Sequence, residues 1–306
     1  RLSHDPVLAE SMHEVLSTVA AIRSTSDILV REPDLEAQWR GRFHRNLHEE
    51  AERLSASATA LLAHFEGQGA RAETLSTPQE QVEAVFELAG HHFPEIEAEG
   101  AAAIPAVLAR IATLADDDAR SLAERHLARY AADAARLPLA GVLAAAADVN
   151  FDPQVLLPLA GGDVALLLRR LAALPQGGAQ AVPGFGLAIC DASGALVFRR
   201  RISAFSIPRY GSGCPLWPLY RALGRPMVPD SAVLDLPDGS RFRAWAVCQP
   251  IGPAGFGAEP VMEATMLLRA LPDDAPASPD AVPVGPGCAV CPREACVARR
   301  AGGRFG

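Results

Sequence analysis

GFGLAICDASGALVFRRRISAF, residues 184–205, decides the fold of the C-terminal half. Apolar residues recur on both sides of a DASG turn, the pattern of two short strands joined as a β-hairpin. Working downstream, CPLWPLYRALG at 214–224 reads as one short helix. SAVLDL at 231–236, RFRAWAVCQPI at 241–251 across a PDGS turn, and VMEATMLLRAL at 261–271 read as further strands. Residues 177–306 are therefore expected to form an α+β domain. Its proline-rich stretch APASPDAVPVGPG, 275–287, is a loop leading to a cluster of cysteines.

Upstream the period changes. VEAVFELAG, IPAVLARIATL, SLAERHLARYAADAARLP and VALLLRRLAAL each repeat at helical spacing, and Pro94, Pro105, Pro138, Pro153 and Pro158 interrupt them. Residues 80–176 thus predict a small domain of short helices, reached by a polar linker at 67–79. Before it, Leu8, Met12, Val15, Val19, Ile22, Ser26 and Leu29 make one seam, and Phe43, Leu47, Ala51, Leu54, Ala58, Leu61 and Phe65 make a second. Pro33 and Asp34 break the chain between them, so residues 1–66 are expected to be a helical hairpin. Two seams are little core for two long helices, and pairing with a second copy into a four-helix bundle solves this. The expected architecture is a mainly α N-terminal two-thirds followed by an α+β C-terminal domain, assembled as a homodimer through the hairpin.

Composition narrows the chemistry. With 306 residues, 49% apolar and 21% charged, the chain is an ordinary globular protein. All 28 basic residues are Arg, which excludes lysine-dependent catalysis. A net charge of −8 disfavours direct contact with a phosphate backbone, so DNA would be met through another module. No apolar run is long enough to span a membrane. The start, RLSHDPVLAE, has neither an initiator Met nor a secretory signature, so an upstream segment and a cytoplasmic location are expected.

Three thiols, Cys288, Cys291 and Cys296, crowd into GCAVCPREACVARR with two and then four residues between them. The tight first spacing lets two sulfurs turn toward one ion, and the third returns after a short loop. Cys190 and Cys248 sit in apolar strands, whereas Cys214 lies in the glycine-bounded loop GSGCPLW and is the expected fourth ligand. Four thiolates suit an iron–sulfur cluster or, alternatively, zinc; the spacing does not choose. Arg199 and Arg201 share one face of a strand, with Arg209, Tyr210 and Trp217 following closely. Guanidinium groups beside aromatic rings suit a nucleotide-containing ligand, and they equally suit a solvated edge that blunts strand pairing. His91 and His92 are adjacent and cannot converge on a metal as an i, i+4 pair does, and no catalytic constellation is present. No enzyme is expected.

RISAFSIPRYGSGCPLWPLYRALGRP with the ending CAVCPREACVARR resembles the C-terminal domain of short-chain fatty acyl-CoA regulators, a family of XRE-type bacterial transcription factors. HLARYAADAARLPLAGVLAAAADVNFDPQVLL is similar to the late helices of their IrrE-like domain, here without its zinc motif. The resemblance implies an acyl-CoA or related effector, a helix-turn-helix upstream for DNA, and regulation of metabolic genes as the output. MHEVLSTVAAIRSTSDIL, followed by RFHRNLHEEAERLSASATALLAHF, resembles the phosphoacceptor hairpin of sensor histidine kinases, with His13 beside Glu14. That family needs an ATP-binding domain, for which no motif is found, so the hairpin is expected to dimerise without phosphotransfer. The runner-up is a redox or iron sensor in which the cluster is itself the signal.

Overall fold

The computed structural model describes residues 6–32, 35–67, 77–111, 114, 116–177, 181–208, 213–252, 256–257, 259–272, 274–276, 278–288 and 291–300. The chain divides into two compact units, Arg1–Ser76 and Thr77–Gly306.

The first unit is a hairpin of α1 (Pro6–Arg31) packed on α2 (Ala37–Gly67). Its contact line runs through Thr18, Ile22, Thr25 and Leu29 on α1, and through Phe43, Leu47, Glu50 and Leu54 on α2. This is the expected spacing in a shifted phase: Val19, Ser26 and Ala51, placed in the seams by periodicity, face outward. Small and β-branched residues explain the shift, because Thr, Ser and Ala fill a seam with little preference among neighbours. The side chains of Leu8, Met12, His13, Val15, Ala58, Leu61 and Phe65 lie outside the described ones. Among the described residues of this unit only Thr18 is fully buried, while Val19, Ile28, Val30 and Trp39 stay exposed.

The second unit lays short helices on one face of a sheet. The helices are α3 (Pro78–Leu88), α4 (Pro94–Glu99), α5 (Ile104–Ala109), α6 (Asp117–Arg136), α7 (Leu139–Ala147), α8 (Pro153–Leu156) and α9 (Val164–Ala172). Their starts are written in the sequence. Thr77 and Glu80 form a reciprocal capping box before α3, and Asp116 and Asp163 accept backbone N–H groups of Ala119 and Leu166 to open α6 and α9. Pro138 follows the end of α6, as a residue that cannot continue a helix should.

Among the described residues six strands follow: β1 (Phe185–Asp191), β2 (Leu196–Arg200), β3 (Asp230–Asp235), β4 (Arg241–Ile251), β5 (Val261–Ala270) and β6 (Val282–Pro283). They lie in the order β2-β1-β5-β4-β3-β6. All described pairings are antiparallel except β3 with β6, which is parallel. The strand at Val282–Pro283 was not expected from the proline-rich composition around it. On the far face sits α10 (Pro218–Leu223), the expected short helix.

One core joins the helices to the sheet. Leu166, Leu167, Leu168 and Leu171 of α9 are almost wholly buried, and they belong to the same apolar cluster as Phe185, Leu187, Trp245 and Leu267. Burying each such side chain is worth roughly 1.5–3 kcal/mol. The helical stretch and the α+β stretch, distinct by composition, thus share this core. A second cluster, with Trp217, Leu219 and Phe242, fills the space beneath α10 on the opposite face.

Candidate functional site

Polar ties fix the helical layer on the sheet. Arg129 of α6 pairs with Glu263 of β5, Arg199 of β2 pairs with Glu83 of α3 at 2.7 Å, and the Ala165 N–H at the start of α9 donates to Gln249 of β4 at 2.7 Å. Beneath, Glu97 accepts two bonds from the buried Arg170, at 2.6 and 2.7 Å, and one from the Tyr130 hydroxyl. Removing one partner of such a buried pair leaves an uncompensated charge, so this network rigidifies the floor on which a ligand would rest.

Above that floor, between α6, α9 and the β1–β2 hairpin, is a cleft of about 60 Å³, open on one side. Phe86, Phe198, Leu187 and Ile189 give it apolar walls, and His91, His126, Arg129 and Arg200 give it a polar end. Phe198 is the hub: Phe86 meets it edge-on at 5.1 Å, and the His126 ring lies 4.9 Å away. The turn after α3 aims His91 inward, because Gly90 and His91 take φ of 61° and 59°. The left-handed region is cheap for Gly and costs a residue such as His some strain. His92, next in sequence, turns elsewhere and meets the Ala173 carbonyl and the Tyr130 hydroxyl.

The charge state of the cleft follows from burial. Desolvation, with the nearby Arg200 charge adding to it, pulls His91 down to about 3. Desolvation, with Arg129 and Arg125 adding to it, pulls His126 down to about 4. Both imidazoles are therefore neutral at physiological pH. Arg200 is 7% exposed, its Nη1 makes no hydrogen bond, and burial alone draws it down to about 10. Among the described residues no carboxylate pairs with it. A buried cation without a counter-charge is costly, and an acceptor oxygen supplied by a ligand removes that cost.

A larger space of about 630 Å³ runs beside α3 and α4, lined by Leu88, His92 and Arg110 among others. Its cation is already neutralised, since Arg110 pairs with Glu95 at 2.6 Å. The smaller cleft, with its unanswered charge, is the better candidate.

The residues singled out from the sequence fall in three places. Arg199 is held by Glu83 and donates to the Pro208 carbonyl. Arg201 lies just past the end of β2 and is exposed. Trp217 is fully buried under α10, where its Nε1 donates to the Gly285 carbonyl at 3.0 Å. It lies on the face opposite the cleft. Arg209 and Tyr210 lie outside the described residues. Arg200, His91 and His126 were passed over, although strict alternation already put Arg200 on the face of Phe198.

The C-terminal segment folds back over the Cys214 loop. Trp217 bonds Gly285, Arg300 donates to the Gly213 carbonyl at 3.3 Å, and the Cys291 sulfur presses on Gly285 so closely that a Cβ there would meet it at 2.5 Å. Cys214 and Cys291 are buried and Cys288 and Cys296 partly so; all six cysteines are free thiols. Cys288 Sγ faces the Ala298 carbonyl at 3.7 Å. Among the described residues no three His, Cys, Asp or Glu side chains converge as a metal site would require.

The second unit is thus a capped helical layer on a mostly antiparallel sheet, with a one-sided aromatic cleft that ends in a guanidinium whose Nη1 has no hydrogen-bond partner. Residues 173–303 match the family model of the short-chain fatty acyl coenzyme A regulator, C-terminal. The resemblance read from the sequence is borne out over those residues. The chain is 34% identical over 190 residues to the propionyl-CoA carboxylase regulator of Cereibacter sphaeroides, covering 58% of this chain and 40% of that protein. It is 28% identical over 194 residues to the HTH-type transcriptional regulator PrpR of Mycobacterium tuberculosis, covering 60% and 39%. A solved structure named Mycobacterium tuberculosis transcriptional regulator superposes with a TM-score of 0.53 at 25% identity, covering 66% of this chain and 64% of that one. The chain spans about 40% of the length of the curated relatives it matches. Those relatives are named as regulators of transcription or of an enzyme, not as enzymes.

Proposed function

We propose that this chain is the effector-binding region of a cytoplasmic bacterial transcription regulator that responds to a short-chain acyl-CoA or a related metabolite, and that it is not an enzyme. The observation that carries this reading is Arg200, a buried guanidinium facing an aromatic cleft with no counter-charge. Its Nη1 offers a charge-assisted hydrogen bond to an effector oxygen, while Phe86, Phe198, Leu187 and Ile189 enclose a short acyl chain. The small size of the cleft favours short chains. The exposed Arg201, next in sequence, is available to the effector's phosphates, with Arg209 and Tyr210 as further candidates; Arg199 would first have to leave Glu83. Calorimetric titration with propionyl-CoA tests this. Arg200→Gln should lower affinity by at least about tenfold, the weight of one charge-assisted bond, and Arg201→Ala by up to about tenfold. Unchanged affinity in Arg200→Gln would remove the effector from this cleft.

Output would follow from pairing. The exposed Val19, Ile28, Val30 and Trp39 support a homodimer through the hairpin, and a helix-turn-helix upstream would make the DNA contact. Effector binding would then shift the population between two dimer arrangements. The absence of any described helix able to cross a membrane and the six free thiols support the cytoplasmic assignment.

A second reading rests on the tail. Cys214, Cys288, Cys291 and Cys296 remain the proposed ligands of an iron–sulfur cluster, with zinc as the alternative, and this makes redox or iron sensing the rival signal. The return of the tail onto the Gly213–Cys214 loop favours it, although these thiols would have to move to converge. Iron and sulfide analysis after anaerobic purification, on the native chain and on Cys214→Ser, tests it: a full complement of metal in Cys214→Ser excludes Cys214.

A further inference from the structure

The cleft at Arg200 lies on one side of α9. On the other side, the sheet carries a second concentration of positive charge. Arg243 of β4 and Arg269 of β5 are direct cross-strand partners. Like charges directly opposite each other on one sheet face repel. Carboxylates normally relieve such a pair, and here the relief is slight. Arg269 donates only to Asn150, to its carbonyl at 2.6 Å and its side-chain oxygen at 3.1 Å. The Arg243 side chain makes no hydrogen bond or ion pair among the described residues. Asp152 is the one carboxylate lining the space, and it already caps α8 by accepting the Gln154 N–H at 2.9 Å.

Next to the pair stands Trp245, two residues along β4 from Arg243 and on the same face. The residue is 6% exposed, and its Nε1–H has no hydrogen-bond partner. Buried indole N–H groups usually find an acceptor. The ring forms a wall of two cavities, one of about 200 Å³ shared with Arg243, Arg269 and Asn150 and one of about 90 Å³ on the α8–α9 side. Asn150 and Phe151, in the turn that closes the first, have φ of 51° and 56°, conformations that non-glycine residues hold only when the surroundings enforce them. Two guanidinia with one carboxylate between them, Asp152, a donor lacking an acceptor and a cavity beside all three make a site for an oxyanion.

The row Arg200, Leu187, Leu267, Trp245 runs straight across four strands, so this site is about 14 Å from Arg200, three strand spacings away with α9 packed over the interval. It is therefore separate from the effector cleft. We propose that Arg243, Arg269 and Trp245 form a second ligand site, which takes the phosphate group of a small phosphorylated molecule.

Calorimetric titration of the full chain with inorganic phosphate tests the proposal. Saturable binding is expected, weakened about tenfold or more by Arg243→Gln or Arg269→Gln, each removing one charge-assisted contact. Trp245→Phe, which keeps the ring and loses only the N–H, should weaken it several-fold. Arg200→Gln should leave phosphate binding intact, and circular dichroism should show every variant folded. Absence of saturable phosphate binding would overturn the proposal. So would a folded Arg243→Gln that binds phosphate like the native chain, or loss of phosphate binding in Arg200→Gln alone.

Discussion

The hairpin Arg1–Ser76 and the unit Thr77–Gly306 solve the burial problem in opposite ways. In the second unit, helices and sheet share an apolar cluster whose members, such as Leu127, Leu167 and Leu174, are inaccessible to water. In the first, two helices of 26 and 31 residues meet along half-buried side chains and leave Val30 77% exposed. Helices of such length draw most of their stability from packing of an apolar face. Pairing of the hairpin with a second copy, as proposed, would relieve this contrast.

Deleting residues 1–66 is the largest perturbation of that contrast. Light scattering should then report a monomer that still unfolds in one cooperative transition. A persisting dimer would place the main interface elsewhere. Next in size, Leu167→Ala should cost about 2–5 kcal/mol by chemical denaturation, because it opens a cavity where no side chain can relax. Leu29→Ala, in the half-buried seam of the hairpin, should cost about 1 kcal/mol or less. Equal costs would mean that the hairpin seam is as well packed as the core.

His91 and His126 are held near 3 and 4 in the fold and return to about 6.5 when unfolded. Below about pH 6.5 the unfolded chain takes up protons that the folded chain refuses, so this contribution destabilises progressively down to about pH 4 for His126 and about pH 3 for His91, and it vanishes above 6.5. The melting temperature of the second unit should fall on acidification from pH 7 to pH 5, and less steeply in His126→Phe. An identical slope in that variant would show that His126 is protonated in the fold. Smallest of all, Val19→Ala should leave the unfolding of a dissociated hairpin almost unchanged, whereas Ile22→Ala should lower it. The reverse order would restore the seam phase first read from the sequence.

Much of this architecture was legible because turn chemistry and period are local. DASG, PDGS and the alternation in RFRAWAVCQPI each mark an element without reference to the rest of the chain, whereas the Thr77–Glu80 capping box fell inside the stretch read as a linker. Phase and neighbours were less accessible. Val19 and Thr18 are both able to sit in a seam, and only the partner helix chooses between them. Two regions that differ sharply in composition gave no sign that Leu167 and Leu267 would share one core, nor that Val282–Pro283 would add a parallel strand to β3. The cleft shows the same limit. Period two separates Arg200 from Arg199 and Arg201, but which face the helices cover is decided by residues more than a hundred positions upstream, Glu83 and Phe86 among them. His91 was set aside as half of an unpromising pair, and its role depends on a left-handed turn that spacing does not reveal.

A crystal structure of the chain with propionyl-CoA would show directly whether Arg200 receives an oxygen of the effector. The acyl chain is expected between Phe86 and Phe198, with a ligand oxygen within hydrogen-bond distance of Arg200 Nη1. An effector bound elsewhere, with Arg200 still buried and unpartnered, would contradict it.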